Sequence, residues 1–389
     1  MDRTLLVGPL LLTAAFLGVP RGAHGQGPAA GPPGPAPSQV APEPSPLPNP
    51  TPVPPTSPTE PSPSPPPEAA GPVQGPASDA PGLGPGGLSP FFNPIVGRAP
   101  FRADYRATWF PSEPVAGQPT SLGYVQQAAS VAFPIWQDGA VDEWSASVST
   151  RGDIIQTHAI LPDTRQPFPD ELWDVRLGTT YRHLFSNGWI AGGTVSVGSA
   201  SDRPFHSIDE MTAGVNAFLR VPQGEHNAWL FTLSYSATGE LPIPIPGVAF
   251  VWQPSPDFRA NLGLPFQVMW RPVEDLTLDF SYMLLTTVHA RASYRVCRLV
   301  CVYAAYASEN ESYFLVDRPD SNDRFFHVDQ RAASGVLLRF CPQASLDLSG
   351  GYVFDNHFFQ GKNITNGTGF DRVDVGAGPY ASVQLLLRW

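Results

Sequence analysis

Lysine is almost absent from this chain, and basic residues of either kind are few. Lys and Arg together number 23, of which only Lys362 is a lysine, against 34 acidic residues and a net charge of −11. Nucleic-acid binding needs a basic patch or stripe, and no run of Lys or Arg provides one. Charged residues make up 15% of the chain, well below the usual quarter, which argues against an ordinary soluble enzyme domain.

Cysteine is also scarce, with three residues at Cys297, Cys301 and Cys341. An odd count permits at most one intrachain disulfide and leaves its pairing open. Cys-x-x-x-Cys without a second ligand pair is a poor zinc signal, so we expect no metal site and no cofactor. No cysteine lies near the N-terminus, so we expect no lipid-modified lipoprotein anchor.

The chain has no apolar run long enough to form a transmembrane helix. The longest, Leu5–Val19, falls short of the ~20 residues that a spanning helix needs. Arg3 precedes it, and Ala23 and Gly25 offer small residues before Gln26. This order predicts a secretory signal peptide over residues 1–25 that is removed on export.

Proline is concentrated in one tract. Residues 26–100 hold 26 of the 47 prolines and very few charged or aromatic side chains. Such a composition buries too little apolar surface to offset the entropy of ordering. We therefore expect a disordered linker over residues 26–100, lying in the periplasm and reaching cell-wall components.

The remaining block, residues 101–389, is built from short segments that alternate at period two. Apolar and polar residues interleave in Phe101–Trp109, Trp173–Arg182, Trp229–Ser236 and Leu276–Leu284. Successive side chains of a strand point to opposite faces, so each segment has one apolar face. Turn signals separate the segments, at Ser186-Asn187-Gly188, Pro222-Gln223-Gly224, Pro319-Asp320 and Asn366-Gly367.

What each face carries separates the possible all-β folds. The apolar face is rich in Trp, Tyr and Phe, and the opposite face mixes small and polar residues with Arg and carboxylates. A β-sandwich favours large aliphatic residues inside, whereas aromatic girdles around a polar lumen are typical of a transmembrane barrel. The sequence thus predicts an antiparallel transmembrane-type β-barrel of 12 or 14 strands, with a soluble β-sandwich as the alternative.

The C-terminal residues give independent support. Trp389, Leu387, Leu385 and Val383 form one apolar face that ends in an aromatic residue. This pattern resembles the signal by which outer-membrane proteins are recognised by the barrel-assembly machinery. Assembly machinery and outer-membrane lipid of a diderm bacterium are therefore the expected partners.

A second resemblance covers most of residues 101–389. It is carried by Leu241–Gly247, Phe250–Pro254, Leu262–Pro265, Trp270–Pro272 and Gly350-Gly351-Tyr352-x-Phe354-Asp355. This order resembles a family of uncharacterised bacterial proteins that are predicted outer-membrane barrels. That family usually has Arg after the Phe-Asp pair, where this chain has Asn356. The resemblance implies the barrel fold and says nothing about a ligand.

Charges on the polar face are the candidate functional residues, because charges are costly towards lipid and tolerated inside a barrel. The predicted strand phases point these residues into the lumen: Arg102, Asp104, Arg106, Asp174, Arg176, Arg182, Glu210, Arg220, Asp279, Arg291 and Arg295. They either form a structural network of ion pairs or line a conduit that accepts anionic solutes.

An enzyme is not expected. Some outer-membrane barrels are lipases, but His183 and Ser186 are three residues apart, which places them on opposite faces of a strand. There is no Gly-x-Ser-x-Gly or His-Glu-x-x-His motif, so we expect no catalytic residues. The leading expectation is a porin-like channel for small solutes. The alternatives are a non-conducting structural or adhesive barrel and a secreted binding protein with a sandwich fold.

Overall fold

The computed structural model describes residues 96–97, 99–238, 243–283, 287–364 and 369–389. The expected signal peptide, nearly all of the expected linker and the Asn366-Gly367 turn lie outside these residues. Among the described residues, no helix is long and apolar enough to cross a lipid bilayer.

Seventeen β-strands and one short 3-10 helix make up the described chain. The strands β1 to β17 are, in order, Arg102–Pro114, Ser121–Asp138, Asp142–Thr157, Glu171–Leu184, Ile190–Ser201, Met211–Gln223, Asn227–Ser236, Ile245–Ser255, Phe258–Gly263, Phe266–Val273, Leu276–Met283, Thr287–Arg295, Val300–Tyr313, Arg324–Cys341, Ala344–Gly361, Phe370–Asp374 and Gly378–Arg388. The 3-10 helix, Ile208–Glu210, precedes β6.

The strands form one closed antiparallel barrel. Consecutive strands pair from β1 through β16, β15 also pairs with β17, and β17 pairs with β1 from Arg102↔Arg388 to Trp109↔Ala381. The short β16 pairs with β15 alone, so sixteen of the described strands complete the ring. The predicted all-β barrel is confirmed, and the closed single sheet excludes the β-sandwich.

The number of strands differs from the predicted 12 or 14. Two of the shortest strands of the ring are β9, with 6 residues, and β10, with 8, whereas the equally short β11 is predicted by its alternation over Leu276–Leu284. Turns at 256–257 and 274–275 join these strands. Segments this short show too few alternations to be separated reliably by periodicity.

The two ends of the barrel have different connections. At one end, short turns such as 139–141, 256–257 and 342–343 join the strands, and the two chain ends of the barrel lie there too. At the other end the connections include the loops 158–170, 202–210 and 314–323. Short turns at one end and longer loops at the other are typical of outer-membrane barrels. These ends are called the turn end and the loop end below.

The outer surface is apolar. Valine and leucine side chains such as Val148, Leu177 and Val195 are exposed in the middle of their strands. Exposed aromatic residues surround the turn end, namely Trp136, Trp144, Tyr181, Trp229, Trp252, Trp270, Tyr294 and Trp389. Trp109, Tyr352 and Phe354 are exposed nearer the loop end. A band of aliphatic side chains between two girdles of aromatic residues suits the hydrocarbon core of a bilayer and its two interfaces.

Candidate functional site in the barrel lumen

The opposite face of each strand points into the lumen, because alternate side chains of a closed barrel lie inside. Directly paired residues share a face, so the strand register follows the inner face around the ring. Gln126 of β2 pairs with Asp153 of β3, and Glu309 of β13 pairs with Asp329 of β14. The inner face therefore carries the polar and charged residues of these strands.

A group of charged residues lies in the middle of the lumen, and we call it the ionic cluster. Its members are Arg106, Arg151, Glu309, Glu311, Asp329 and Arg331, and all but Glu311 are buried. Arg331 Nη2 donates to Glu309 Oε2 at 2.7 Å and its Nε donates to Asp329 Oδ1 at 3.0 Å. Arg151 pairs with Glu311 and lies 3.5 Å from Glu309.

The ionic cluster links opposite walls of the barrel. Arg151 belongs to β3, whereas Glu309 and Glu311 belong to β13, which is not a neighbour of β3 in the sheet. Losing one partner of such a buried pair leaves an uncompensated charge and costs about 3–5 kcal/mol. The cluster therefore holds two walls of the lumen together as well as supplying charge.

Aromatic residues fill the lumen on the loop side of the ionic cluster. This aromatic cluster comprises Phe110, Tyr124, Phe168, Phe325, Phe358 and Tyr380, all of them buried. Phe110 stacks on Tyr124 with a centroid distance of 4.2 Å, and Phe325 stacks on Phe358 at 5.7 Å. Phe168 comes from the loop 158–170, so part of this loop packs inside the barrel.

Further contacts cross the lumen at the loop end. Phe314 N donates to Ala200 O at 2.8 Å, and Val316 N donates to Asp202 Oδ1 at 2.9 Å. They connect the residues that follow β13 to the end of β5. The part of the lumen that is lined by β13 to β17 and by β1 to β4 is consequently packed with side chains.

The wall formed by β5 to β12 has a different lining. Small polar residues such as Thr194, Asn216, Ser234 and Ser281 lie on its inner face and are half-buried. Some pair across strands, since Ser234 Oγ donates to Asn216 Oδ1 at 2.6 Å. We call this surface the polar wall.

The chain ahead of β1 enters the barrel at the turn end. Val96 is buried among Ile190, Phe218, Leu230 and Val251, which belong to the inner face of β5 to β8. Hydrogen bonds fix the neighbouring backbone: Gly97 N donates to Glu143 Oε2 at 3.0 Å, and Gln137 Nε2 donates to Ala99 O at 3.0 Å. Val96 thus covers an apolar patch at the turn end of the polar wall.

Ten of the eleven candidate lumen residues lie on strands, on the face opposite the exposed aromatic residues. Several form local pairs: Arg176 Nη2 lies 2.6 Å from Asp174 Oδ2, and Arg182 Nη1 lies 3.4 Å from Glu143 Oε1. Asp104 accepts a hydrogen bond from Ser130. Arg295 is exposed at the end of β12, where its Nε donates to Asp275 Oδ1 at 2.9 Å.

The remaining candidates form no single site. Arg291 lies 3.6 Å from Asp347 and covers the Tyr303 ring at 3.6 Å, and Asp279 pairs across the strands with Arg291. Arg220 is opposite Ile190, while Arg102 is opposite Arg388 at the turn end. Only Arg106 belongs to the ionic cluster.

The strand phase predicts that Glu210 faces the lumen from a strand, and the prediction of a strand at this position is wrong. It is the last residue of the 3-10 helix, where its carboxylate accepts from Ser207 N at 2.8 Å and from Ser207 Oγ at 3.1 Å. These hydrogen bonds form a capping box. Glu210 therefore stabilises the loop before β6.

The residues weighed for catalysis lie outside the lumen. His183 is at the turn end of β4, on the outward face, where its Nδ1 lies 2.7 Å from Asp142 Oδ1. Ser186 lies in the turn after β4. All three cysteines have free thiols, so the disulfide that their number permits is not formed.

Loops at the other end are held by two acidic residues. Asp320 contacts Lys362 at 2.9 Å, joining the loops after β13 and β15. The backbone N–H of Asn322 and the Lys362 ammonium lower the pKa of Asp320 to about 2. Asp371 Oδ1 accepts from Asp163 N at 2.7 Å and from Thr164 N at 2.9 Å. Asp371 thereby fixes the loop 158–170 that carries Phe168 inward.

Most residues of the ionic cluster are not among those predicted from the sequence. Arg151, Glu309, Glu311, Asp329 and Arg331 alternate with less polar residues on β3, β13 and β14. Their alternation was available as a signal for the inner face. Their close contacts across the lumen could not be predicted from the sequence, because these contacts depend on how strongly each wall of the barrel curves.

No protein-family profile and no curated protein matches this sequence. Several solved structures align with most of the chain at low similarity. An outer membrane channel from Pseudomonas putida F1 aligns with a TM-score of 0.36 at 8% identity, over 77% of this chain and 98% of that one. The TodX monoaromatic hydrocarbon channel deltaS2S3 mutant gives 0.36 at 8% identity, over 77% and 92%. The β domain of the Bordetella autotransporter BrkA gives 0.29 at 9% identity, over 75% and 100%.

Proposed function

We propose that this chain is an outer-membrane β-barrel of a diderm bacterium and that its lumen forms a narrow, porin-like pathway for small polar solutes. The observation that carries the proposal is the contrast between the two faces of the barrel. Exposed aliphatic and aromatic residues form the outer face, and polar and charged residues form the inner face.

The outer face supports insertion into a bilayer. A soluble protein rarely exposes a continuous apolar belt, because water is a poor solvent for it. In lipid the same belt is favourable, and the closed sheet leaves no strand edge with unsatisfied backbone groups. The predicted signal peptide would direct export. Recognition by the assembly machinery would rest on the C-terminal residues Val383, Leu385, Leu387 and Trp389.

The pathway runs along the polar wall. The aromatic cluster closes the opposite side of the lumen, and the cavity beside the ionic cluster has a volume of only about 30 Å³. Such a cavity holds about two water molecules and admits no solute. Thr194, Asn216, Ser234 and Ser281 present small polar groups to a passing solute, and Asp279 presents charge.

A bilayer recording tests this proposal. Refolded protein with heat-modifiable gel mobility should give discrete conductance steps. Asn216→Trp places a large ring on the polar wall and should lower the unitary conductance. Ala217→Trp is the matched control, because Ala217 faces outward and an aromatic residue is tolerated there.

A non-conducting structural barrel is the second candidate, favoured by the aromatic cluster and by Val96 inside the turn end. Folded protein that gives no conductance would support it and would contradict the channel. A protein that stays soluble without detergent and shows no heat-modifiable mobility would contradict the outer-membrane location itself.

A further inference from the structure

Three potential metal ligands meet inside the barrel where the ionic cluster borders the aromatic cluster. They are Asp153 of β3, Glu311 of β13 and His327 of β14, and one ligand atom from each lies within 4.8 Å of the other two. Asp153 and His327 are each only 1% exposed. Asp153 precedes Glu311 and His327 by more than 150 residues in sequence, so only the closed barrel brings the three side chains together.

Asp153 is a buried carboxylate that no arginine or lysine of the described chain contacts. Its Oδ1 accepts from Gln126 Nε2 at 3.0 Å, but its Oδ2 has no hydrogen-bond partner among the described residues. A buried charge without a counter-ion is costly. The Asp153 carboxylate therefore has no guanidinium or ammonium partner among the described residues, and its Oδ2 is open to a cation.

The His327 ring is oriented towards this carboxylate. Its Nε2 lies 3.1 Å from Asn356 Oδ1 and 3.4 Å from the Tyr124 hydroxyl, and the ring stacks on Phe358 at 4.2 Å. An Nε2–H that donates to Asn356 leaves the lone pair on Nδ1. That Nδ1 is buried without a hydrogen bond, 3.9 Å from Asp153 Oδ2.

This arrangement matches the surroundings of a metal-binding histidine. Such a histidine usually donates its second ring N–H to an oxygen acceptor, which fixes its tautomer and orientation. Here Asn356 is that acceptor. Two acceptor atoms, His327 Nδ1 and Asp153 Oδ2, then face each other across a gap that a cation would bridge.

The charges around the site favour a cation as well. The ionic cluster and Asp153 together contribute four carboxylates, those of Asp153, Glu309, Glu311 and Asp329, and three guanidinium groups, those of Arg106, Arg151 and Arg331. The group is thus one positive charge short of neutrality. Arg151 also lies 3.5 Å from Glu309, so it retains a carboxylate partner when Glu311 binds an ion.

We propose that Asp153, Glu311 and His327 form a binding site for a divalent transition-metal ion, with Zn²⁺ the preferred ion. One imidazole nitrogen and two carboxylates suit Zn²⁺, whose bonds to nitrogen and oxygen measure about 2.0–2.2 Å. Ligand atoms around such an ion lie closer together than 4.8 Å, so the side chains move inward on binding. Gln126 borders the site, where its Nε2 donates to Asp153 Oδ1 and to Glu311 Oε1, and a water molecule would complete the coordination.

The ion would join β3 to β13 and β14 across the lumen. Its role is structural, because the aromatic cluster separates the site from the loop end and the polar wall lies on the other side of the barrel. The proposal adds a site to the barrel and does not depend on whether the polar wall conducts solute.

Zinc binding to the full-length folded protein tests the proposal. Protein refolded in detergent with Zn²⁺, passed over a desalting column and analysed by atomic emission should retain one zinc per chain. Zinc should also raise the temperature at which the heat-modifiable gel mobility is lost, relative to protein refolded with EDTA. Asp153→Asn and His327→Gln should each weaken zinc binding by at least about 10-fold.

Matched controls come from the same lumen. His289→Gln changes another inward histidine, and Asp174→Asn changes a carboxylate that already pairs with Arg176; neither should alter zinc binding. Asn356→Ala, which removes the acceptor of His327 Nε2, should weaken binding if the direct ligand variants fail to fold. Folded wild-type protein that retains no zinc, or that retains as much zinc as folded Asp153→Asn/His327→Gln, would overturn the proposal.

Discussion

Trp389 closes the barrel against Phe101: its backbone N–H donates to the Phe101 carbonyl at 3.0 Å, and the two rings meet edge to face at 5.1 Å. The last residue of the sequence and the residue just before β1 are thereby fixed to each other. Next to them, Arg388 pairs with Arg102 in the ladder between β17 and β1. The contact extends strand closure to the end of the chain.

Deleting Trp389 should therefore impair assembly. The deletion removes a hydrogen bond at the closing seam, an aromatic contact and a ring that is exposed at the membrane interface. We expect less heat-modifiable protein in the outer membrane and more periplasmic proteolysis. Arg388→Ser is the control, because Arg388 lies on the inner face, and it should have a smaller effect. An unchanged amount of folded protein in the deletion variant would show that the terminal residue is not part of the assembly signal.

The facing of β11 predicts opposite effects for neighbouring substitutions. Leu278→Arg and Phe280→Arg place a charge on the outer face, which at mid-bilayer costs roughly 2–4 kcal/mol for each. Thr277→Arg and Ser281→Arg change residues of the inner face and should be tolerated. Refolding yields into lipid vesicles, measured by heat-modifiable mobility, compare the four variants. Better folding of the first two than of the last two would mean that the faces of β11 are reversed.

Asp371 should determine how firmly the loop 158–170 is held in the barrel. It accepts hydrogen bonds from Asp163 N, Thr164 N, Thr164 Oγ1 and Gln360 Nε2. Asp371→Ala leaves these donors without their charged acceptor, a loss of about 3 kcal/mol. Trypsin should then cut the folded protein after Arg165, which lies in this loop.

Asp371→Asn provides the control for this experiment. Asparagine keeps one acceptor oxygen, and it tolerates the left-handed backbone found at this position, where φ is +55°. Its sensitivity to trypsin should lie between those of the wild type and Asp371→Ala. Equal resistance of all three proteins would show that Phe168 and its neighbours hold the loop without Asp371.

The sequence predicted the fold class because alternation is a local property. The strands at Phe101–Trp109 and Trp173–Arg182 could be recognised from their own residues. Glu210 could not be placed from its phase, because it belongs to a 3-10 helix with a capping box at Ser207, and β6 begins only after it. The meeting of Asp153 with His327 depends on the curvature of the whole barrel, which is not encoded in the spacing of neighbouring residues.

Val96 provides the sharpest test of the polar wall as a pathway. It is 2% exposed within an apolar patch that includes Ile190 and Leu230. Val96→Asp buries a carboxylate there, which costs several kcal/mol, so the segment should leave the lumen. We expect the unitary conductance in planar bilayers to rise.

Two further variants separate the role of Val96 from that of the Pro-rich segment. Ala99→Asp changes a half-buried residue of the same segment whose backbone carbonyl is held by Gln137, and it should conduct like the wild type. Removal of residues 26–95 leaves Val96 in its patch, so conductance should again be unchanged. If Val96→Asp folds and conducts no better than the wild type, Val96 does not obstruct the polar wall, and the narrowest part of the pathway lies nearer the loop end.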